Sequence, residues 1–325
     1  MTDIVRRRLL GGAALGTLAA AAPAVHAQAF PSRPLRVFVG YSAGGGVDAM
    51  ARLLATGLAA QLGQQVVVEN RAGASGLIAA EAVSKSPADG HTLMVGETGM
   101  LIASLLRAGK ALDPLKALTP VAGLFVSPLI IVAGNPVPMA NPAELVAELK
   151  RNPGRYSYAT SGIGTVHHLG FELLKARTGT FVVHIPYRGA AQIVPDVIGG
   201  QVPLGVVSAT AGLSQARAGK LRAVAMLSDH KLPGGEGVAP LSSAVPGFSV
   251  APRLALMAPA GTPAPVIDAL AEAVRKVLTA PETVQSALQQ GAITAYLPPS
   301  ELGRDLQREV GDWDRVVKAQ KLTAE

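Results

Sequence analysis

The sequence predicts an α/β fold with two lobes and a ligand-binding cleft between them, and three observations support this prediction. Short apolar patterns typical of buried strands alternate with helical patterns, which favours parallel sheets covered by helices. Glycine-rich segments follow the first strands, at the sheet edge where α/β proteins bind ligands. A second segment of this kind comes about 120 residues after the first, so each half of the chain carries one.

The first strand–loop–helix unit lies in the segment VFVGYSAGGGVDAMARLL, residues 37–54. Val37–Val39 has the composition of a short buried strand, and from Val47 onward apolar residues recur at helical spacing. Between them, residues 42–46 are small, and glycine lets backbone N–H groups approach a ligand closely. Because a helix N-terminus carries unpaired N–H donors and a positive dipole end, this unit predicts an anion site.

The next units have the same order of patterns. A strand at Val66–Val68 leads into the small-residue loop 69–76 and a helix near residues 78–83. A third strand, Leu93–Val95, ends in another loop, residues 96–99. All three loops follow strands, so they are expected at one edge of the sheet.

The second half repeats the opening pattern after an apolar stretch, residues 121–132, and a helix start at Asn141–Pro142. Residues 156–159 predict a strand, and residues 160–165 form a glycine–hydroxyl loop before a helix that ends at Gly179. The remaining predicted elements are strands at 182–187, 202–207, 221–226 and 254–257, and helices at 193–198, 264–278 and 300–318.

Composition narrows the possible functions. The chain has 325 residues, 49% of them hydrophobic, which suffices for two domains of ordinary size. The net charge is +7, but the basic residues are dispersed and aromatic residues are scarce, which argues against nucleic-acid binding. A mild excess of positive charge suits a small acidic ligand. Without cysteine, the chain has no disulfide, thiol nucleophile or thiolate metal site.

Residues 1–29 have the layout of a cleavable secretory signal peptide. Three arginines, Arg6–Arg8, precede the uncharged segment 9–22, and small-residue cleavage patterns end at Ala27 and Ala29. The adjacent arginines suggest the twin-arginine (Tat) route, and the Sec route stays open. We therefore expect a periplasmic protein whose mature chain is soluble, since no later stretch of about 18 residues is uniformly apolar.

The first glycine loop also resembles the phosphate-binding loop of dinucleotide enzymes. Gly40, Gly44 and Gly46 have suitable spacing, and Glu69 ends the next strand where a ribose-binding acid would stand. An NAD(P)-dependent oxidoreductase of the short-chain type would also need a Tyr-x-x-x-Lys pair, which the tyrosines of residues 156–187 lack. The serine-hydrolase pentad, the Walker A motif and HExxH are absent too, so neither an enzyme nor a cofactor is expected.

Ten stretches in order carry a resemblance to one family. They are PSRPLR, the GGG loop with Asp48, VVVENRAGASG, PADGHTL, LDPLKALTPV, YATSGIGTVHHLG, HIPYRGAAQ, GGQV, AGKLRAVA and APAGTPAPVIDAL. From about residue 30 to the C-terminus, the chain resembles the extracytoplasmic solute-binding proteins of tripartite tricarboxylate transporters, the Bug family.

This resemblance implies the periplasmic-binding-protein architecture, in which two α/β lobes close on a ligand. Lobe 1 is expected to contain residues 30–131 and 250–325, and lobe 2 residues 132–249. The implied function is capture of a small carboxylate, such as a di- or tricarboxylate, by a monomer that docks on membrane permease subunits. A ligand-sensing adaptor for a sensor kinase is the alternative.

The resemblance also implies which residues bind the ligand. One ligand carboxylate is expected between the two glycine loops, where Gly45 and Gly164 leave space and backbone N–H groups, hydroxyls and water hold it. The expected contacts are Ser42, Ala43, Gly44, Gly45, Gly46, Val47, Asp48, Thr160, Ser161, Gly164, Thr165, Ser208 and Arg253.

Departures from the family pattern concern the far end of the ligand. Threonine is common at the position of Val47, and two acids are common in the strand that here ends at Ser208. Tryptophan is common near Arg253, which is expected either to reach a second ligand carboxylate or to face solvent.

Five further side chains allow two interpretations each. Asp48 either contacts the ligand or favours the helix start. His167 and His168 are expected to be structural rather than metal ligands, because adjacent helical residues point in different directions. Arg188 either pairs with a ligand carboxylate or forms a surface ion pair, and Glu97 either binds an ammonium group or faces solvent.

Overall fold

The computed structural model describes residues 30–107, 112–187, 192–319 and 322–323. The predicted signal peptide, residues 1–29, and Arg188 lie outside the described residues. Within the described residues, the chain forms two mixed sheets, one of six strands and one of five. None of the helices in these ranges is long and apolar enough to cross a bilayer.

Strands and helices alternate along most of the chain, as the sequence predicts. The strands are β1 (Leu35–Val39), β2 (Val66–Asn70), β3 (Thr92–Glu97), β4 (Leu118–Val126), β5 (Leu129–Ala133), β6 (Ser157–Thr160), β7 (Val183–Pro186), β8 (Leu204–Ser208), β9 (Arg222–Met226), β10 (Arg253–Pro259) and β11 (Ile293–Leu297). The helices are α1 (Gly46–Leu62), α2 (Leu77–Ser84), α3 (Thr98–Leu106), α4 (Pro114–Ala117), α5 (Pro142–Arg151), α6 (Val166–Thr178), α7 (Ile193–Ile198), α8 (Ala209–Arg217), α9 (Ala264–Thr279), α10 (Pro281–Gln289) and α11 (Pro299–Ala319).

The six-stranded sheet has the order β11-β4-β10-β3-β1-β2. Strands β2, β1 and β3 are parallel, so the loops after them share one edge. Strand β10 is antiparallel to both β3 and β4, and β11 is antiparallel to β4. The parallel arrangement that the sequence favours is therefore found in β2, β1 and β3, whereas β10 and β11 run in the opposite direction.

The five-stranded sheet has the order β7-β6-β8-β5-β9. Its parallel part, β7-β6-β8, places the loop after β6 and the end of β8 at the same edge. Strand β5 is antiparallel to β8 and β9. Each sheet thus has a parallel part whose carboxyl edge carries one of the two glycine loops.

The chain crosses between the sheets at two adjacent places. Strand β4 belongs to the first sheet and β5 to the second, with only Ser127–Pro128 between them. The Ser127 N–H donates to the Pro252 carbonyl at 2.9 Å, just before β10 returns to the first sheet. The expected boundary at 131/132 falls inside β5, which pairs wholly in the second sheet. We therefore propose lobe boundaries at 127–128 and near residue 252.

Two helices contribute side chains to the cores of both sheets. In α3, Met100 packs in the core of the first sheet and Leu106 in that of the second. In α11, Leu306 belongs to the first core, whereas Trp313 belongs to the second. The C-terminal helix therefore does not belong to lobe 1 alone, as the sequence-based division supposes, but spans both.

Candidate ligand-binding site

The first glycine loop presents free backbone donors. Strand β1 leads through residues 40–45 to α1, and Ser42 to Gly46 are all exposed. Gly45 is the N-cap of α1 and has no side chain with which to cap it. Among the described residues, nothing accepts a hydrogen bond from the N–H groups of Gly46, Val47 and Asp48. Unpaired donors at the positive end of a 17-residue helix favour an anion.

The glycines shape this loop and leave space beside it. Gly44 has φ of +80°, a conformation that favours glycine. A Cβ on Gly46 would meet no atom within 4 Å, and one on Gly45 would meet only the Ser42 carbonyl oxygen at 3.4 Å. The space in front of the loop is therefore open, as the sequence interpretation requires.

Asp48 anchors the first loop through internal hydrogen bonds. Its Oδ2 accepts from the Gly44 N–H at 2.9 Å and from Arg52 Nε at 3.0 Å, and its Oδ1 accepts from Asn70 Nδ2 at 2.8 Å. Asn70 Nδ2 also donates to the Tyr41 carbonyl at 3.0 Å. The Arg52 guanidinium is the main cause that lowers the pKa of Asp48 to about 2. The side chain is only 3% exposed, so this geometry favours a positioning role over ligand contact.

The second glycine loop is capped differently and again leaves donors free. Thr165 is the N-cap of α6: its Oγ1 accepts from the His168 N–H at 3.3 Å and donates to the Gly162 carbonyl at 2.8 Å. Among the described residues, nothing accepts a hydrogen bond from the N–H groups of Val166 and His167. The two helices, α1 and α6, therefore each offer backbone donors at the carboxyl edge of a sheet.

Most hydroxyls of the expected site are used inside the protein. Thr160 is fully buried, and its Oγ1 lies 2.6 Å from His184 Nε2. Ser161 Oγ lies 3.1 Å from His167 Nδ1. Among the described residues, the Ser42 hydroxyl has no partner. Direct hydroxyl contacts from Thr160 and Thr165, which the sequence interpretation expected, are therefore not favoured by this geometry.

Gly164 packs against the end of α3, so its geometry does not support the expectation that it leaves space for the ligand. It has φ of +75°, and a Cβ there would lie 2.6 Å from Leu106 Cδ1. Its N–H donates to His168 Nδ1 at 3.2 Å and is not free for a ligand. The absence of a side chain at this position lets the end of α3 approach the second loop.

Helix α3 relates the two loops to each other. In its first turn, Gly99 lies against Tyr41, since a Cβ on Gly99 would be 3.1 Å from the Tyr41 hydroxyl. At its other end, Leu106 lies against Gly164. Seven residues of helical rise separate Gly99 from Leu106, which corresponds to about 10 Å. Helix α3 therefore contacts both loops, one near each of its ends.

Tyr41 and Glu97 form a pair beside the first loop. Burial is the main cause that raises the pKa of each, and the hydrogen bond between the Tyr41 hydroxyl and the Glu97 carboxyl opposes the shift at Glu97. A raised pKa favours the neutral carboxyl, which repels a neighbouring ligand carboxylate less than an ionised one would. Glu97 therefore does not rule out an anion site at this edge.

Ser208 lies at the sheet edge that carries the second loop, whereas only the backbone of Arg253 lies near the edge that carries the first. Ser208 ends β8 at the same sheet edge as the second loop, where its hydroxyl accepts from the Ala211 N–H at 3.4 Å and caps α8. The backbone N–H of Arg253 donates to Thr98 Oγ1 at 3.1 Å, near the first loop's edge.

The Arg253 side chain points elsewhere. Its guanidinium lies 3.2 Å from Asp305 on α11. It lines a cavity of about 490 Å³ between α6 and α11 that includes no residue of either glycine loop. The interpretation of Arg253 as the contact for a second ligand carboxylate therefore loses its structural support.

Glu69, the residue that fits a ribose-binding acid in the dinucleotide interpretation, is already paired. Its two carboxylate oxygens accept from Arg36 Nε at 2.6 Å and from another Arg36 guanidinium nitrogen at 2.9 Å. This bidentate pair occupies the carboxylate that a ribose would need.

Sequence reasoning missed the residues that hold the loops from behind. Asn70 lies 22 residues from Asp48, and His184 lies 24 residues from Thr160. The available signal was the pair His167–His168 directly after the second loop, which the sequence interpretation expected to be structural without identifying what the two rings contact.

Solved structures similar to this chain share its fold along almost its whole length. The periplasmic binding protein BugD is 30% identical, with a TM-score of 0.76, and the match covers 91% of this chain and 100% of BugD. R. palustris Rpa4515, solved with adipate, is 29% identical, with a TM-score of 0.78 and coverage of 90% and 99%. MatC from Rhodopseudomonas palustris, solved with bound malate, is 30% identical, with a TM-score of 0.73 and coverage of 89% and 100%.

Two α/β lobes joined by crossover strands, with helix N-termini at the facing edges, define a periplasmic solute-binding protein. The sequence model of the tripartite tricarboxylate transporter family receptors, TctC, matches residues 50–322. The chain belongs to this family, which consists of solute receptors rather than enzymes. The resemblance to Bug proteins that the ten stretches indicate is thereby confirmed.

Proposed function

We propose that this protein captures a small carboxylate, of the di- or tricarboxylate class, and delivers it to the permease of a tripartite tricarboxylate transporter. The carboxylate lies between the two glycine loops. On one side it accepts hydrogen bonds from the N–H groups of Gly46 and Val47, and on the other from those of Val166 and His167. Charge-assisted hydrogen bonds of this kind are short and strong.

The observation that carries the proposal is the pair of helix N-termini with free donors, one on each lobe. Each is preceded by a glycine loop at the carboxyl edge of its sheet. The two dipole ends attract one negative charge more strongly than either does alone. Two related proteins of the same fold were solved with dicarboxylates, adipate in Rpa4515 and malate in MatC.

Ligand capture couples to closure of the lobes. The crossings at residues 127–128 and near residue 252 are short and hydrogen-bonded to each other, so they are the places where the lobes rotate. A ligand that contacts both loops stabilises the closed form, because only that form allows both sets of contacts. The permease then recognises the closed form in the periplasm, after removal of residues 1–29.

A thermal-shift screen tests the ligand class. The mature protein, from residue 30, is heated with linear dicarboxylates, tricarboxylates, monocarboxylates, amino acids and NAD(P). A ligand at 100 times its dissociation constant adds about 2.7 kcal/mol to the free energy of unfolding, which the screen detects. We expect stabilisation by an organic acid.

The variant Gly46→Leu tests whether the acid binds at the first loop. Gly46→Leu introduces a side chain where no atom lies within 4 Å, so it fills the open space without disturbing the fold. We expect the protein to keep its stability and to lose at least tenfold in affinity for the acid. The matched control is Gly311→Leu in α11, where a Cβ also meets no atom within 4 Å.

Isothermal titration calorimetry measures the affinity of both variants for the acid. Unchanged affinity in the folded Gly46→Leu protein would overturn the proposed grip. Stabilisation by NAD(P) alone would favour the oxidoreductase alternative.

A further inference from the structure

Three histidines lie directly behind the second glycine loop, and each contacts one residue of it. His167 Nδ1 is 3.1 Å from Ser161 Oγ, His168 Nδ1 is 3.2 Å from the Gly164 nitrogen, and His184 Nε2 is 2.6 Å from Thr160 Oγ1. The His168 and His184 rings stack with centroids 4.0 Å apart. Three residues of the loop, Thr160, Ser161 and Gly164, therefore each contact an imidazole ring.

The contact of His168 with Gly164 fixes the form of this ring. A backbone N–H only donates, so His168 Nδ1 must accept through its lone pair. The proton of the neutral ring therefore resides on Nε2, which faces Glu172 Oε1 at 3.8 Å. A second proton, on Nδ1, would set two N–H groups against each other.

Charged and titratable groups from three elements surround the ring. On α6, Glu172 Oε1 accepts from Lys175 Nζ at 2.7 Å and also from the Tyr158 hydroxyl of β6 at 2.6 Å. From β7, His184 stacks on His168. Because Lys175 and Tyr158 already satisfy Glu172, its charge does little to favour an imidazolium.

The neutral form of the ring is correspondingly stable. His168 is 5% exposed, and this burial, followed by the charge of Lys175, lowers its pKa to about 4. Burial also lowers the pKa of His184, to about 3. At neutral pH both rings are uncharged, so the hydrogen bond to Gly164 is intact.

We propose that His168 is a positioning residue for ligand binding: its Nδ1 lone pair holds the Gly164 peptide so that the N–H groups of Val166 and His167 face the ligand. This inference rests on the proposed function. Only neutral His168 performs this task, so protonation of its ring weakens ligand binding through the second loop.

The sign of the pH effect follows from the lowered pKa. Above pH 6.5, His168 is neutral in the folded and unfolded chain alike. As pH falls from about 6.5 towards 4, the His168 ring binds a proton in the unfolded chain before it does so in the folded chain. The free energy of unfolding therefore declines over this range. As pH falls through about 4, the folded ring protonates and affinity declines, by roughly fourfold at pH 3.5.

Two substitutions at position 168 separate positioning from simple packing. His168→Asn keeps an acceptor near the place of Nδ1 but does not titrate, whereas His168→Leu keeps bulk and removes the acceptor. The matched control is His230→Asn, because His230 lies beside Ser228 and lines the cavity between α6 and α11, away from both loops.

The first measurement uses ligand-free protein, so it is independent of the proposed function. Nitrogen-15 histidine NMR at pH 7 is expected to show His168 protonated on Nε2 only. It is also expected to show a Gly164 amide signal that moves in His168→Leu and moves less in His168→Asn. A ring protonated on Nδ1 would overturn the proposal.

The second measurement is the affinity for adipate and malate between pH 6 and 3.5, compared with wild type at each pH so that ligand titration cancels. We expect His168→Leu to bind roughly three- to tenfold more weakly at pH 7, the effect of one lost buried hydrogen bond. His168→Asn and the control should bind as wild type does at pH 7. Near pH 4 the control should show the same loss as wild type, whereas neither variant at position 168 should show it, because neither side chain titrates.

Equal affinity of folded His168→Leu and wild type would contradict the proposal, as would the same acid loss in His168→Asn. If wild type binds neither adipate nor malate, the choice of dicarboxylate fails, and the NMR experiment still decides the role of His168.

Discussion

At the scale of single residues, the first glycine loop depends on the carboxylate of Asp48, which is hydrogen-bonded within the protein. Asp48 lies behind the loop and accepts hydrogen bonds from Gly44, Arg52 and Asn70. The bond from Gly44 holds a residue with positive φ, while those from Arg52 and Asn70 tie the loop to α1 and β2. The free N–H groups of α1 can therefore keep one orientation before the ligand arrives, which reduces the entropy lost on binding.

Replacement of Asp48 by alanine should weaken both fold and binding. We expect the free energy of unfolding in urea to fall by about 1–3 kcal/mol, because three donors lose a buried charged acceptor. The contribution of Asp48 should be present above about pH 4 and disappear as pH falls towards 2, since its pKa is lowered in the folded chain.

The control for this prediction is Glu81→Ala, which removes an exposed ion pair with Lys85. Such pairs contribute little, so the control should stay within about 0.5 kcal/mol of wild type. If Asp48→Ala were as stable as the control, the anchoring role would be wrong.

Residue types and spacing predicted the loops but not their internal bonds. The run Gly44–Gly46 before a helical pattern is a local signal, and the structure has an open loop there. The partners of Asp48 and the neighbour of Gly164 come from distant parts of the chain, and no local pattern indicates them. This is why the sequence did not indicate that Leu106 packs against Gly164.

At the scale of helices and strands, the close contact between α1 and α9 fixes the position of α1, which begins at the first glycine loop. A Cβ on Gly57 in α1 would lie 2.5 Å from Val277 Cγ1 in α9. Glycine at this place lets the two helices pack closely over the first sheet, and α1 has unpaired backbone N–H groups at its start.

Gly57→Ala should therefore destabilise the protein by about 1–3 kcal/mol through overpacking, although alanine is the better helix former. The additional substitution Val277→Ala should restore most of the loss. Gly311→Ala in α11 should instead stabilise slightly, because a Cβ there meets nothing within 4 Å. Thermal denaturation of the four proteins measures these effects, and a stabilised Gly57→Ala protein would contradict the packing argument.

Helices with clear ends were the easiest elements to predict. Gly63 and Gly179 end α1 and α6 in the left-handed conformation, and the Asn141 side chain caps α5 as expected. The sequence did not predict helices α3, α4, α8 and α10 or strand β11. Strand β11 is half-buried throughout, so its residues show no alternation between apolar and polar faces.

At the scale of the whole molecule, two short crossings and two helices connect the lobes. The crossings lie at residues 127–128 and near residue 252, and helices α3 and α11 pack in both cores. Helix α3 also contacts both glycine loops, at Tyr41 and at Gly164. We infer that closure rotates the lobes at the two crossings, while α3 and α11 keep their packing in both cores.

The two-lobed architecture was predicted from the repeated strand–loop–helix pattern and from the family resemblance. The architecture and the family are both confirmed. The exact crossing was not predictable, because the apolar stretch continues from β4 through β5 with only Ser127–Pro128 to interrupt it. The participation of α11 in both cores depends on tertiary packing, which a helical pattern alone does not reveal.

The central claim is that one ligand carboxylate is held between the two glycine loops. The most direct test is a crystal structure of the mature protein with the acid that stabilises it most in the screen. We expect carboxylate oxygens within about 3 Å of the N–H groups of Gly46 or Val47 on one side and of Val166 or His167 on the other. An acid bound instead to Arg253, in the cavity between α6 and α11, would contradict the account.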